Sequence, residues 1–143
     1  MLLDTNIFLE LMLGQKRAPE CERLLEAVSK GEREATVTHF SIHAMEAILG
    51  SGKGLTSLLR NLETSQGLYV YETSVSEEAA VGLITLERKL DFDDALQYYV
   101  ARKIGAESIV SFDRHLDGLD VPRLEPRMVM ESTRRRKGLR TRT

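Results

Sequence analysis

Leu90-Asp91-Phe92-Asp93-Asp94-Ala95-Leu96-Gln97 crowds three carboxylates into the first turn of a segment that reads as a helix from Phe92 to Ile104. Such crowding raises the energy of the segment unless a cation sits beside it. Helix starts favour negative charge, so Asp91 as N-cap with Asp94 three residues on accounts for part of the pattern. Capping does not account for all three acids. Two other stretches repeat a related theme: Met1-Leu2-Leu3-Asp4 and Ser108-Ile109-Val110-Ser111-Phe112-Asp113 are each a short apolar strand running into a carboxylate. Strand-end aspartates gather at one edge of a parallel sheet, where open α/β folds hold their ligands.

The rest of the chain alternates in the same sense. Ile7 to Leu13 is an apolar run after the turn residues Thr5 and Asn6, and Cys21, Leu24, Leu25 and Val28 form the buried stripe of a helix that starts near Pro19 and closes at Gly31. Cys21 is expected as a core thiol. Glu34 to Thr38 reads as a strand, Ser41 to Leu49 as a helix, 50–54 as a flexible link, and Leu55 to Leu62 as a further helix. Leu68 to Tyr71 reads as the next strand, Ser74 with Glu77 as a capping box opening a helix to Leu90, and Val121 to Leu124 as a last short strand. Strands alternating with helices give an α/β fold with a mostly parallel sheet of four to five strands.

At 143 residues the chain has the size of one domain. Its single cysteine rules out an internal disulfide framework. No apolar run approaches the roughly 20 residues of a membrane span, and a strand beginning at Leu2 leaves no room for a secretory signal, so a cytoplasmic protein is expected. The formal charge of -2 hides an asymmetry: residues 1–133 carry 14 Lys and Arg against 22 Asp and Glu, a net -8, while 134–142 add six positive charges and no acid. The domain is therefore read as 1–131, followed by a basic, disordered tail at 132–143. An acidic body repels nucleic acid unless cations or basic patches intervene.

Glu46 is out of place as an apolar-face residue. It lies about 40° from Ile42 and about 60° from Leu49 around the helix, where a lone carboxylate costs several kcal/mol in desolvation, so it reads either as a snorkelling edge residue or as a metal ligand. His39 and His43, one turn apart without a matched third ligand, do not make a zinc site. Gly50-Ser51-Gly52-Lys53-Gly54 lacks the spacing of a phosphate loop and follows a helix where such a loop must follow a strand. Asp4, Glu46, Asp113 and one of Asp93 or Asp94 thus remain as candidate acids. If they converge, they call for a divalent cation, and hard oxygen donors point to Mg²⁺ or Mn²⁺ over Zn²⁺. Such ions activate water and stabilise the charge of in-line phosphodiester cleavage.

In residue type and order, the chain up to about Met130 resembles the PIN domain family, most of all its VapC-like toxins and their archaeal relatives. Leu3-Asp4-Thr5-Asn6-Ile7 is similar to the family's opening motif, Glu46 to its central helix glutamate, Asp94-Ala95-Leu96 to its Asp-Ala motif, and Val110-Ser111-Phe112-Asp113 to its Thr/Ser-x-Asp motif. The resemblance implies a three-layer α/β/α domain and an endoribonuclease in which Asp4, Glu46, Asp94 and Asp113 hold Mg²⁺ or Mn²⁺. Asp117 matches an acid that only some relatives carry, and stands as a further ligand or as an exposed cap. Thr5, Asn6 and Ser111 would orient the carboxylates. Helical periodicity disagrees on one point: Phe92, Leu96, Tyr99 and Val100 mark the buried stripe, which turns Asp93 towards the core and puts Asp94 on the far side with Ala101. The family pattern selects Asp94 and leaves Asp93 as a helix-terminus charge.

An RNA substrate, an antitoxin partner and a homodimer follow from the same resemblance, the last also from the apolar run Ile7 to Leu13. Lys53, Arg102, Lys103, Arg114 and the tail residues Arg134, Arg135 and Arg136 are the candidate RNA contacts, and His115 reads as a surface histidine. Two rival functions use the same acids. A non-catalytic PIN-like module binding RNA or protein is disfavoured by the presence of all four acids. A structure-specific DNA nuclease is disfavoured by the small size, which leaves no added arch or DNA-binding segment.

Overall fold

A computed structural model describes residues 1–132. The order is β1 (Leu2–Leu3), α1 (Thr5–Met12), α2 (Ala18–Ser29), β2 (Ala35–Thr38), α3 (His39–Leu49), α4 (Lys53–Thr64), β3 (Leu68–Tyr71), α5 (Val75–Arg88), α6 (Phe92–Lys103), β4 (Ile109–Val110), a 3₁₀ turn (Arg114–Leu116) and β5 (Arg123–Leu124). A final helix, α7, spans residues 126–132. The five strands form one sheet in the order β3-β2-β1-β4-β5, and every pairing is parallel. The chain builds outward from β1 to β3 on one side and then restarts with β4 on the other. The switch point falls between β1 and β4, where the carboxyl ends of neighbouring strands diverge into different connections and leave a crevice.

Successive strand residues point to opposite faces, and the core divides accordingly. Leu3 and Val110 join Ile7, Phe8, Leu24, Val28, Ile42, Met45 and Leu58 in one cluster. Leu2 and Ile109 join Val81, Leu96, Tyr98, Val100 and Leu116 in the other. Helices α1 to α4 thus cover one face of the sheet and α5 and α6 the other, a three-layer α/β/α domain.

Local signals act as the sequence reads. Ser74 and Glu77 close a reciprocal capping box on α5, and Asp91 caps α6 by accepting from the Asp94 N–H at 2.8 Å. Cys21 is buried on the α2 stripe, and burial pushes its thiol up to about 12.

Several boundaries differ from expectation. Thr38 caps α3 two residues early by accepting from the Ser41 N–H, so the helix starts at His39. Gly52, at φ 102°, lets α4 begin inside the supposed link, at Lys53. A left-handed Lys89 ends α5 at Arg88. Pro122 cannot donate a ladder bond, and β5 shortens to Arg123–Leu124. Helix α7 has no counterpart in the sequence reading. It carries buried Val129 into the first core cluster, and the described residues end within it at 132. The basic tail, including Arg134, Arg135 and Arg136, lies outside the described residues.

The buried face of α6 also differs. Asp94, Ala95, Leu96, Gln97, Tyr98, Val100 and Ala101 are buried, while Phe92 is exposed and Tyr99 half-buried. The helix lies between the sheet and α5, so the side carrying Asp94 and Ala101 is covered together with the expected stripe positions Leu96 and Val100. The run Ile7 to Leu13 is largely consumed by the domain's own core, leaving only Leu13 exposed for a second copy.

Candidate active site

Asp4 follows β1 directly and caps α1, accepting the Thr5 N–H at 2.7 Å on Oδ1. Its Oδ2 accepts from the Ser111 hydroxyl at 2.6 Å and from the Asn6 amide at 3.3 Å. Ser111, just past β4, is fully buried. Its oxygen accepts in turn from the Asp113 N–H at 3.0 Å and the Asn6 amide at 3.1 Å. One hydroxyl therefore locks the carboxylate at the end of β1 to the loop that presents Asp113, and Asn6 closes the loop further by accepting from the Phe112 N–H at 3.4 Å. The parallel pairing of β1 with β4 makes this possible, because it puts both strand ends at the same edge.

Asp94 enters from α6. It is 4 % exposed, as is Asp4, and among the described residues no donor is hydrogen-bonded to its carboxylate. Burial, and then the charges of Asp113, Asp91, Asp4 and Asp93, push it up to about 8. Asp4 is raised to about 6, mainly by burial, against the pull of its Ser111 bond. Asp93 is raised too, again chiefly by burial, and is half-buried beside the cluster; it is more than the helix-terminus charge expected. Among the described residues, no lysine or arginine forms an ion pair with Asp4, Asp93, Asp94 or Asp113. His115 is the one base close by, its Nδ1 lying 3.2 Å from Asp113 Oδ1 and 3.9 Å from Asp94 Oδ2.

Other expected site residues stand apart. Glu46 does not occupy the buried apolar position inferred from its helix angle. Its side chain is 39 % exposed, and Oε1 lies 2.9 Å from His43 Nδ1. His43 itself stacks on His39, with ring centroids 4.4 Å apart. Asp117 is held by Arg123 at 2.7 Å, which keeps its carboxyl below the usual range. Lys53 and Arg114 are exposed, the latter next to Asp113. Arg102 lies 3.6 Å from Asp120 near the far end of α6, and Lys103 is exposed beside it.

Sequence reasoning missed the support behind the cluster. Gln97 is fully buried; its Nε2 donates to Ser41 Oγ at 2.7 Å and Asp93 Oδ1 at 3.2 Å, while its Oε1 has no hydrogen-bond partner among the described residues. Thr5 and Thr38 donate to the same Ser41 oxygen at 2.8 and 3.1 Å. This buried polar seam ties α1, α3 and α6 together under the site. A glutamine at i+4 from Asp93 inside an apolar helix was its visible signal.

The fold is an open α/β domain with carboxylates gathered at its switch point and no lysine or arginine paired with them among the described residues. The PIN domain model matches residues 1–122, and the chain belongs to that family. Among solved structures, the fold is similar to that of Mycobacterium tuberculosis VapC20, a sarcin-ricin loop cleaving toxin (TM-score 0.70, 18% identity, covering 87% of this chain and 98% of that one). It is also similar to a chain of a toxin-antitoxin complex from Klebsiella pneumoniae (TM-score 0.65, 20% identity, covering 87% and 96%). No curated protein matches the sequence.

Proposed function

We propose that this protein is a divalent-metal-dependent endoribonuclease that cleaves RNA phosphodiester bonds, the toxin of a toxin-antitoxin pair. The observation that carries the reading is the crowding of Asp4, Asp94 and Asp113 at the switch point with no lysine or arginine among the described residues to neutralise them. The fold likeness to two VapC-type chains supports it. The donor set fits Mg²⁺ or Mn²⁺: carboxylate oxygens, two of them on groups raised chiefly by burial and then by neighbouring carboxylates. When bound, the ion would supply water activation and charge stabilisation for in-line displacement.

The chain's own residues do the rest. Ser111 and Asn6 fix the Asp4 carboxylate, and Asp91 and the buried seam fix α6 so that Asp94 faces it. Glu46 contributes only when its bond to His43 opens. Exposed Arg114 is the nearest arginine in sequence to the cluster, and Lys53, Arg102 and the tail extend the RNA path over an otherwise acidic body. An antitoxin of amphipathic character has an apolar groove to fill, about 320 Å³ in volume, lined by Phe8, Leu11, Met12, Leu25, Leu58 and Leu62. Exposed Val75, Leu83 and Leu86 on α5 offer a homodimer a better surface than α1 does. A cytoplasmic location follows from the RNA substrate. Among the described residues no helix is long and apolar enough to cross a membrane.

The test is cleavage of a total RNA pool with Mg²⁺ or Mn²⁺, with and without chelator, followed by mapping of the cut ends. Metal-dependent endonucleolytic ends support the reading. Intact RNA under every condition, or cleavage indifferent to chelator, contradicts it.

A further inference from the structure

The carboxylates alone do not exhaust the donors at this centre. Among the described residues, one group of three metal-ligating side chains has its donor atoms within 4.8 Å of one another: Asp94, Asp113 and His115. The position of His115 is set by the fold. Asp113 caps the 3₁₀ turn by accepting the His115 N–H at 2.9 Å on Oδ1, and Leu116, fully buried, pins the turn to the second core cluster. That leaves His115 projecting over the two carboxylates with its ring 79 % exposed, so no packing holds the imidazole there. Its Nδ1 lies 3.2 Å from one carboxylate and 3.9 Å from the other. Two donors each about 2.1 Å from one ion lie about 3 to 4 Å apart, the same range.

We propose that His115 is a direct nitrogen ligand of the ion held by Asp94 and Asp113, and that it gives this centre a preference for Mn²⁺ over Mg²⁺. The inference rests on the metal-dependent reading above and specifies it. Mg²⁺ is hard, keeps its waters and gains little from a nitrogen donor. Imidazole suits transition metals, so one nitrogen among carboxylates shifts the balance towards Mn²⁺. Asp113 Oδ1 accepts the turn's N–H with one lone pair, and its second lone pair remains for the ion. The competing account is an imidazolium that merely pairs with the two acids and leaves when the metal arrives.

The experiment uses the full chain without RNA and the metals alone as probes. Mn²⁺ affinity is measured by calorimetry, Mg²⁺ affinity by competition, and ¹⁴N coupling to bound Mn²⁺ by pulsed electron paramagnetic resonance. The expected result is one Mn²⁺ site, at least about tenfold tighter for Mn²⁺ than for Mg²⁺, with a ¹⁴N signal. His115→Ala then loses the signal and about tenfold or more in Mn²⁺ affinity, with Mg²⁺ affinity unchanged within about twofold. A ¹⁴N signal that survives in His115→Ala, its absence from the wild type, or an equal loss for both ions overturns the nitrogen ligand while leaving the carboxylate centre standing. Absence of any divalent binding overturns the metal reading itself.

Discussion

Replacing Asp94 by asparagine keeps the side chain's shape and removes the charge that the metal-free site tolerates least. Its carboxyl is raised from an ordinary 3.8 to about 8 in the folded protein, so at pH 7 folding obliges it to take up a proton, a linkage cost on the order of 4 kcal/mol. Its neighbours relax when it is gone, and asparagine still needs hydrogen-bond partners, so the net gain expected for the variant is roughly 2 to 3 kcal/mol. For a chain of this size that raises Tm by about 10 °C. The pH dependence has a definite sign. Between about 4 and 8 the folded state binds more protons than the unfolded state, so the metal-free wild type loses stability as pH rises through that window. Asp4, raised to about 6, adds to the loss over the lower half. In Asp94→Asn the slope shrinks to what Asp4 and Asp93 leave. Mn²⁺ raises the wild-type Tm, since an ion at 100 times its Kd contributes about 2.7 kcal/mol, but leaves the variant's little changed. Calorimetric melts from pH 5 to 8, with chelator and with Mn²⁺, read all three effects. A variant that melts below the wild type at pH 7.5 in chelator, or a metal-free wild type that gains stability from pH 5 to 8, refutes the reasoning.

Ser111→Ala removes the hydroxyl joining Asp4, Asp113 and Asn6; cleavage falls about 10- to 100-fold through weaker metal affinity while stability changes by about 1 kcal/mol, as metal titrations of the rate and denaturant melts will show. Gly67→Ala sets a Cβ 2.0 Å from the Arg33 carbonyl oxygen and 2.9 Å from that of Val28, both backbone, and costs roughly 2 to 4 kcal/mol in the same melts. Truncation after Ser132, in an Asp94→Asn background, reports on the basic tail. If its six cations touch RNA, the slope of log affinity on log salt falls by up to about 4.

Much of this site was legible because motif and topology agree. An aspartate closing a two-residue apolar strand must sit at a sheet edge, and the second such strand, β4, pairs beside the first, so Asp4 and Asp113 meet without any fine detail of packing. Asp94 was harder. Periodicity assumes one wet face, but α6 is covered on two sides, and of the stripe it picks out Leu96 and Val100 are buried while Phe92 and Tyr99 lie at the edge left partly open. Glu46 takes the snorkelling geometry that was one of its two readings: its helix angle puts it over the core, yet its long side chain leans out to His43 one turn away. Helix α7 leaves no strong signal because it is short in the described residues and starts at Pro126, two residues after the last strand. The seam of Thr5, Thr38, Ser41 and Gln97 leaves one trace in the sequence, a glutamine four residues after Asp93 in an apolar helix, while the partners it bonds lie up to 59 positions away and are of types ordinary in turns and helices.

The central claim, that the acidic cluster holds a divalent ion and that RNA cleavage depends on it, is tested most directly by counting bound Mn²⁺ and measuring RNA cleavage in the same samples across a metal titration. Cleavage rises in step with occupancy of one site in the wild type, and folded Asp94→Asn protein loses both ion and cleavage while still binding RNA. Cleavage at zero occupancy, or an Asp94→Asn protein that cuts at the wild-type rate, contradicts the account.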